Sequence, residues 1–128
     1  MKRVIGIGGI FFKAENPAEL ASWYEEHLGV PIDKSFGGYS FKWNNQEQRP
    51  VNGYTLWSPF KEDTQYMKPS SKNFMFNFIV DDLERLLQVL ESEGIDQVSN
   101  MQDTDFGKFA WIMDPENNKI ELWEPLEE

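Results

Sequence analysis

Residues 113–125 read Met113-Asp114-Pro115-Glu116-Asn117-Asn118-Lys119-Ile120-Glu121-Leu122-Trp123-Glu124-Pro125. The five residues from Asp114 to Asn118 are turn formers. Asp and Asn side chains bond their own backbone and tolerate a left-handed conformation. On either side lie apolar runs, Lys108–Met113 and Lys119–Trp123, so the stretch predicts two strands joined by a tight connector. Strand alternation then sorts the second run. Glu121 and Trp123 share one face, and Ile120 and Leu122 share the other, facing a helix. For the strand over 107–113 both registers stay open: Phe109, Trp111 and Met113, or Lys108, Ala110 and Ile112, face the same way as Glu121.

Upstream, Phe74–Val80 is an apolar strand. Asp81 or Asp82 caps the helix that follows, Leu83, Leu86, Leu87 and Leu90 form its stripe, and Gly94 stops it. The same order occurs about 66 residues earlier. Thr55-Leu56-Trp57-Ser58-Pro59 echoes Glu121-Leu122-Trp123-Glu124-Pro125, and Asn16-Pro17 through Leu28-Gly29-Val30 echoes Asp82-Leu83 through Glu93-Gly94-Ile95. Asn16 is a good N-cap, Pro17 suits the first helical position, and Glu19 can close a capping box. Leu20, Trp23, Tyr24 and Leu28 make the stripe, which predicts a helix over 17–28 to match one over 83–93. Strands are expected at Val4–Ala14, Tyr39–Trp43 and Tyr54–Trp57. The repeated unit is strand, helix, then three strands, with one short strand weakly signalled in each copy. The copies span approximately 1–60 and 73–128, with a linker over 60–73.

The chain has 128 residues, within the range of about 100–200 for one domain. Its 12 Lys+Arg against 22 Asp+Glu give a net charge of -10. No basic stripe is available for nucleic acid, and nothing attracts an anionic membrane. There is no Cys, so disulfides, thiolate metal sites and a Cys nucleophile are excluded. The single His, His27, rules out any site with two or three His ligands from one chain. It falls near a helix C-terminus, where a partly positive imidazole is favourable. No run approaches the roughly 18 apolar residues of a membrane span. The glycine-beaded run from Val4 to Phe12 reads as a strand rather than a leader, and the cytoplasm is the expected compartment.

The Asn16–Val30 segment, the Val80-Asp81-Asp82-Leu83 to Ile95 segment and above all Met113–Pro125 resemble the vicinal oxygen chelate superfamily. That superfamily includes glyoxalase I, bleomycin-resistance proteins and extradiol dioxygenases. The resemblance covers essentially the whole chain. It implies an α+β fold in which two βαβββ modules make one glyoxalase-like domain over 1–128, each sheet curled around a concave cavity. It also implies a homodimer. Metal-using members place ligands at positions that match Gly9, Thr55, Met75 and Glu121 here. Of that set only Glu121 survives, whereas a catalytic divalent metal generally wants about three protein ligands. Neither a metal nor another cofactor is therefore expected.

With strand alternation, the cavity is expected to collect Phe11, Lys13, Thr55, Trp57, Met75, Asn77, Trp111, Glu121 and Trp123, with Trp43 and Tyr66 at its rim. Glu121, Trp123 and Trp57 are expected to line it together. The expected function is binding of a small aromatic or cationic molecule. Glu121 would be a general base, or the counter-charge to a cation held among Trp faces. The rival is a metal-dependent lyase, similar to lactoylglutathione lyase, or a dioxygenase that uses ligands outside the family set. No nucleic-acid or membrane partner is expected.

Overall fold

The computed structural model describes residues 10, 12–42 and 53–126. Two helices pack on one face of a four-stranded open, curled sheet. Helix α1 runs Pro17–Leu28. The Asn16 side chain accepts from the Glu19 backbone N–H at 3.2 Å and donates to the Glu19 carboxylate at 2.9 Å. Strand β1, Phe76–Ile79, precedes helix α2, Leu83–Ser92. Asp82 rather than Asp81 is the α2 cap, accepting from the Arg85 N–H. At the α2 C-terminus the Ile95 N–H reaches the Leu90 carbonyl and the Gly94 N–H the Glu91 carbonyl, with Gly94 at φ 81. This is the left-handed stop that only Gly adopts cheaply.

Strands β2 (Gln102–Thr104), β3 (Gly107–Met113) and β4 (Lys119–Pro125) complete the sheet in the order β1-β4-β3-β2. β1 runs parallel to β4, and β4, β3 and β2 are antiparallel neighbours. From β1 onward the order is strand, helix and three strands, and β2 is the short strand that the sequence signalled weakly.

Between Tyr39 and Lys42, and between Tyr54 and Trp57, the structure departs from the expected strands: neither segment belongs to the sheet. Ile10 and Phe12–Ala14 form no strand either; the rest of the expected opening strand, and Trp43, lie outside the described residues. The physical difference is pairing. β4 has a strand on both sides, whereas Tyr54–Trp57 has no ladder partner among the described residues, leaving Leu56 and Trp57 71% and 77% exposed. The Leu-Trp-x-Pro echo repeats a side-chain pattern, but backbone pairing makes the strand.

The register is now defined. Trp111 faces Glu121 and Phe109 faces Trp123 across β3–β4, while Asn77 faces Glu121 across β1–β4. The opposite face carries Ala110, Ile112, Ile120 and Leu122, all fully buried against Leu83, Leu87 and Leu90 of α2 and Leu20 and Tyr24 of α1. Burying each of these Ile and Leu side chains contributes about 1.5–3 kcal/mol.

The Asp114–Asn118 connector does more than turn the chain. The Asp114 carboxylate accepts from the backbone N–H groups of Glu116 and Asn118, both at 2.9 Å, and from the Asn118 amide at 2.7 Å. The Tyr24 hydroxyl of α1 adds a fourth bond at 2.7 Å. Burial, then Asp114, raise the Tyr24 phenol well above its ordinary pKa. Glu116 receives the backbone N–H groups of Glu15 and Asn16 at 2.7 and 3.0 Å, so the connector also holds the start of α1.

Removing the Tyr24 hydroxyl from this buried site (Tyr24→Phe) is expected to cost about 1–2 kcal/mol in urea unfolding. Glu116 behaves differently with pH. The N–H groups of Glu15 and then Asn16 hold its carboxyl below the ordinary value of 4.5. A depressed folded value contributes stability above 4.5 that is lost as pH falls through it. Wild type should therefore exceed Glu116→Gln in thermal midpoint at pH 7, and the gap should close as pH falls well below 4.5.

Candidate functional site

Glu121 stands at the centre of the sheet face turned away from the helices, 7% exposed. Strand β4 places it between Asn77 on β1 and Trp111 on β3, and both reach it. The Asn77 amide donates to Oε1 at 2.7 Å and the Trp111 indole N–H to Oε2 at 2.8 Å. The Tyr66 hydroxyl, from the segment that precedes β1, donates to the same Oε2. An indole N–H can only donate, and a carboxylate accepts from all three. A carboxylate buried without such bonds costs several kcal/mol; three bonds offset most of that. Burial and then Glu121 raise the Tyr66 phenol well above its ordinary value, which keeps it a donor.

Lys119 shares this face and is also 7% exposed. Its Nζ donates to the Tyr66 carbonyl at 2.5 Å. It lies 5.2 Å from the Tyr66 ring centre and 5.7 Å from that of Trp111, within cation–π range. Burial lowers the Lys119 pKa from 10.5, and the charge of Glu121 pulls it partly back. Tyr66 thus joins the two charges, its hydroxyl to Glu121 and its carbonyl to Lys119. Next along β4, Trp123 donates to the Phe106 carbonyl at 2.8 Å, stacks on Phe109 at 6.0 Å and 7°, and takes Tyr54 at its edge.

Tyr66, Asn77, Trp111 and Glu121 therefore come together as one cluster. Thr55, Met75, Asn77, Glu121 and Trp123 line one open groove. Trp57 is not among its walls and points to solvent, which corrects its expected place beside Glu121. Lys13 is exposed and is not a partner of Glu121. Phe11, Trp43 and Gly9 lie outside the described residues. Lys119 was missed, although the parity that pairs Glu121 with Trp123 also includes it. Phe109 belonged to a register the sequence left open.

The described metal-ligand positions do not fit a divalent ion. Thr55 is exposed, Met75 offers a thioether, and Glu121 is taken up by three neutral donors. Among the described residues, no three His, Cys, Asp or Glu side chains group as a metal would require. His27 instead contacts the Glu93 carboxylate at 3.1 Å, where the two helix ends meet.

A family model for the glyoxalase-like domain matches residues 9–123. The chain belongs to the glyoxalase-like domain family. This agrees with its resemblance to the vicinal oxygen chelate superfamily. Among solved structures, one titled "conserved domain protein" aligns with 95% of this chain and 100% of its own at 13% identity and a TM-score of 0.57, a likeness of fold alone. A member of the glyoxalase/bleomycin resistance protein/dioxygenase superfamily from Sphaerobacter thermophilus aligns with 38% of this chain at 22% identity and a TM-score of 0.36. The glyoxalase-like chain spans 40% of that structure's length. No curated protein sequence matches it. In this glyoxalase-like chain no helix among the described residues is long and apolar enough to cross a membrane.

The Tyr66 bond has a testable signature. A raised phenol pKa means that its contribution is full below the ordinary 10.0 and lost as pH climbs through the folded value. Because the Tyr66 ring is 41% exposed, the expected cost of Tyr66→Phe at pH 7 is only about 1 kcal/mol. Urea titrations above pH 10 should show that difference shrinking.

Proposed function

We propose that this glyoxalase-like chain binds a small aromatic or cationic molecule in the groove over Glu121, without the metal centre of metal-using relatives. The observation that carries this reading is the uneven use of the Glu121 carboxylate. Oε2 accepts two protein bonds, whereas Oε1 accepts one, from Asn77. A carboxylate offers about four acceptor sites. A ligand N–H or O–H completes the set at Oε1, beside the Trp123–Phe109 stack. For a ligand with an acidic C–H or N–H the same oxygen is the candidate general base. The two-module reading belongs to this proposal. It is supported by the 66-residue echo and by the strand, helix and three-strand order of the second half. The homodimer is the family expectation, and exposed Phe36, Phe41, Leu56 and Trp57 give it apolar surface to cover.

The test is Glu121→Gln, a change the network can absorb. The Gln oxygen accepts from Tyr66 and Trp111, and its NH₂ meets Asn77, whose amide turns over to present oxygen. The stability change should stay within about 1 kcal/mol. The acceptor at Oε1 is gone, so any aromatic amine or amide found by thermal-shift screening of wild type should bind at least about tenfold more weakly. Undiminished binding by a folded Glu121→Gln protein would overturn the reading. Elemental analysis finding a zinc, nickel or iron ion bound stoichiometrically and lost in Glu121→Ala would replace it with a metal centre.

A further inference from the structure

We propose that the ligand of this site is a neutral, flat aromatic molecule bearing a hydrogen-bond donor, and not a cation, because Lys119 already fills the cation's place. This narrows the preceding proposal and rests on the groove being a small-molecule site. A cation recognised here needs aromatic faces and an uncompensated carboxylate. The Tyr66 and Trp111 faces already hold the Lys119 ammonium at 5.2 and 5.7 Å. The Tyr66 carbonyl already accepts a hydrogen bond from that ammonium. Glu121 lies two residues from Lys119 on the same face of β4, both nine-tenths buried, so each partly offsets the charge of the other.

A second cation brought to Oε1 would meet the repulsion of Lys119 in a place where water screens little. It would also give up hydration that the Tyr66 and Trp111 faces, already set on Lys119, do not return. A neutral donor pays neither cost. The apolar surface that remains in the groove, the exposed Tyr54 ring and the half-buried Phe109 ring packed on buried Trp123, suits a flat uncharged ring.

Three probes of nearly one shape separate charge from size: benzamide, neutral; benzamidinium, cationic; and benzoate, anionic. Each is titrated into the full chain by calorimetry. Wild type is expected to bind benzamide at least about tenfold more tightly than either ion. Lys119→Met keeps the apolar stem and removes the charge. It should leave benzamide within about threefold and improve benzamidinium about tenfold. Lys119→Gln, which can still donate to the Tyr66 carbonyl, gives the same comparison should the Met variant unfold. Tighter binding of benzamidinium than benzamide by wild type overturns the inference and leaves the small-molecule site standing. An unchanged ratio of the two in both Lys119 variants also overturns it. Binding of none of the three by wild type removes the small-molecule reading itself.

Discussion

The four hydrogen bonds onto the Asp114 carboxylate are the constraint on which the rest of the molecule depends. Two of them close the connector, one locks Asn118, and one comes from Tyr24, 90 residues away in sequence. Closing the connector sets how β3 and β4 pair. A slip of one residue would turn Ile120 and Leu122 out of the core and put Glu121 into it. With the observed register, Trp111 stands opposite Glu121 and its indole N–H finds an oxygen. The same turn draws in α1 through Tyr24 and through Glu116, so one short loop orders a strand pair, a helix start and a buried carboxylate.

The two faces of the sheet solve different problems. Against the helices the gain is area, and it needs no particular partner: Ile, Leu and Ala fill the space. On the other face a buried carboxylate and a buried ammonium must each be repaid by specific bonds, since burial of an unpaired charge costs more than any one aliphatic contact returns. The structure does this without a direct ion pair. Tyr66 stands between, donating from its hydroxyl and accepting at its carbonyl. The Tyr66 segment is therefore held at two points by two residues of one strand, which ties a stretch outside the sheet to its centre.

Both helices, their caps and the β3–β4 pair were legible because their causes are local. Asn16-Pro17 and Asp82 cap, Gly29 and Gly94 stop, and Leu83, Leu87 and Leu90 fall on one side. The candidate site was legible in part for the same reason: parity alone places Glu121 with Trp123, and cross-strand neighbours follow once the register is known. What failed was non-local. Trp57 carries the same local pattern as Trp123, yet it is 77% exposed where Trp123 is 5% exposed, because pairing on both sides of a strand is not written within it. Tyr66 was placed at a rim and is instead bonded to the carboxylate, since a loop's landing point depends on what the sheet beneath it leaves unsatisfied. Nothing in the pattern marks Lys119 as buried, since lysines usually reach water; here two aromatic faces, a carbonyl and a nearby carboxylate hold it.

The charge of -10 invites the inference that the ligand is positive, and Lys119 shows why that step does not follow. Exposed carboxylates act through water and salt, over about 8–10 Å, and chiefly steer encounter. What a bound molecule meets is set by the few groups within contact distance in a poorly screened place. Among the described residues, the groups bonded at or beside Glu121 are its own carboxylate, the Lys119 ammonium and the neutral donors Tyr66, Asn77 and Trp111. On the proposed reading, attraction of the acidic surface for cations would act on approach, and the like charge of Lys119, two residues from Glu121, would oppose it at the carboxylate. Overall charge and local charge thus select for different things, approach in one case and occupancy in the other, and the groups at Glu121 decide the second.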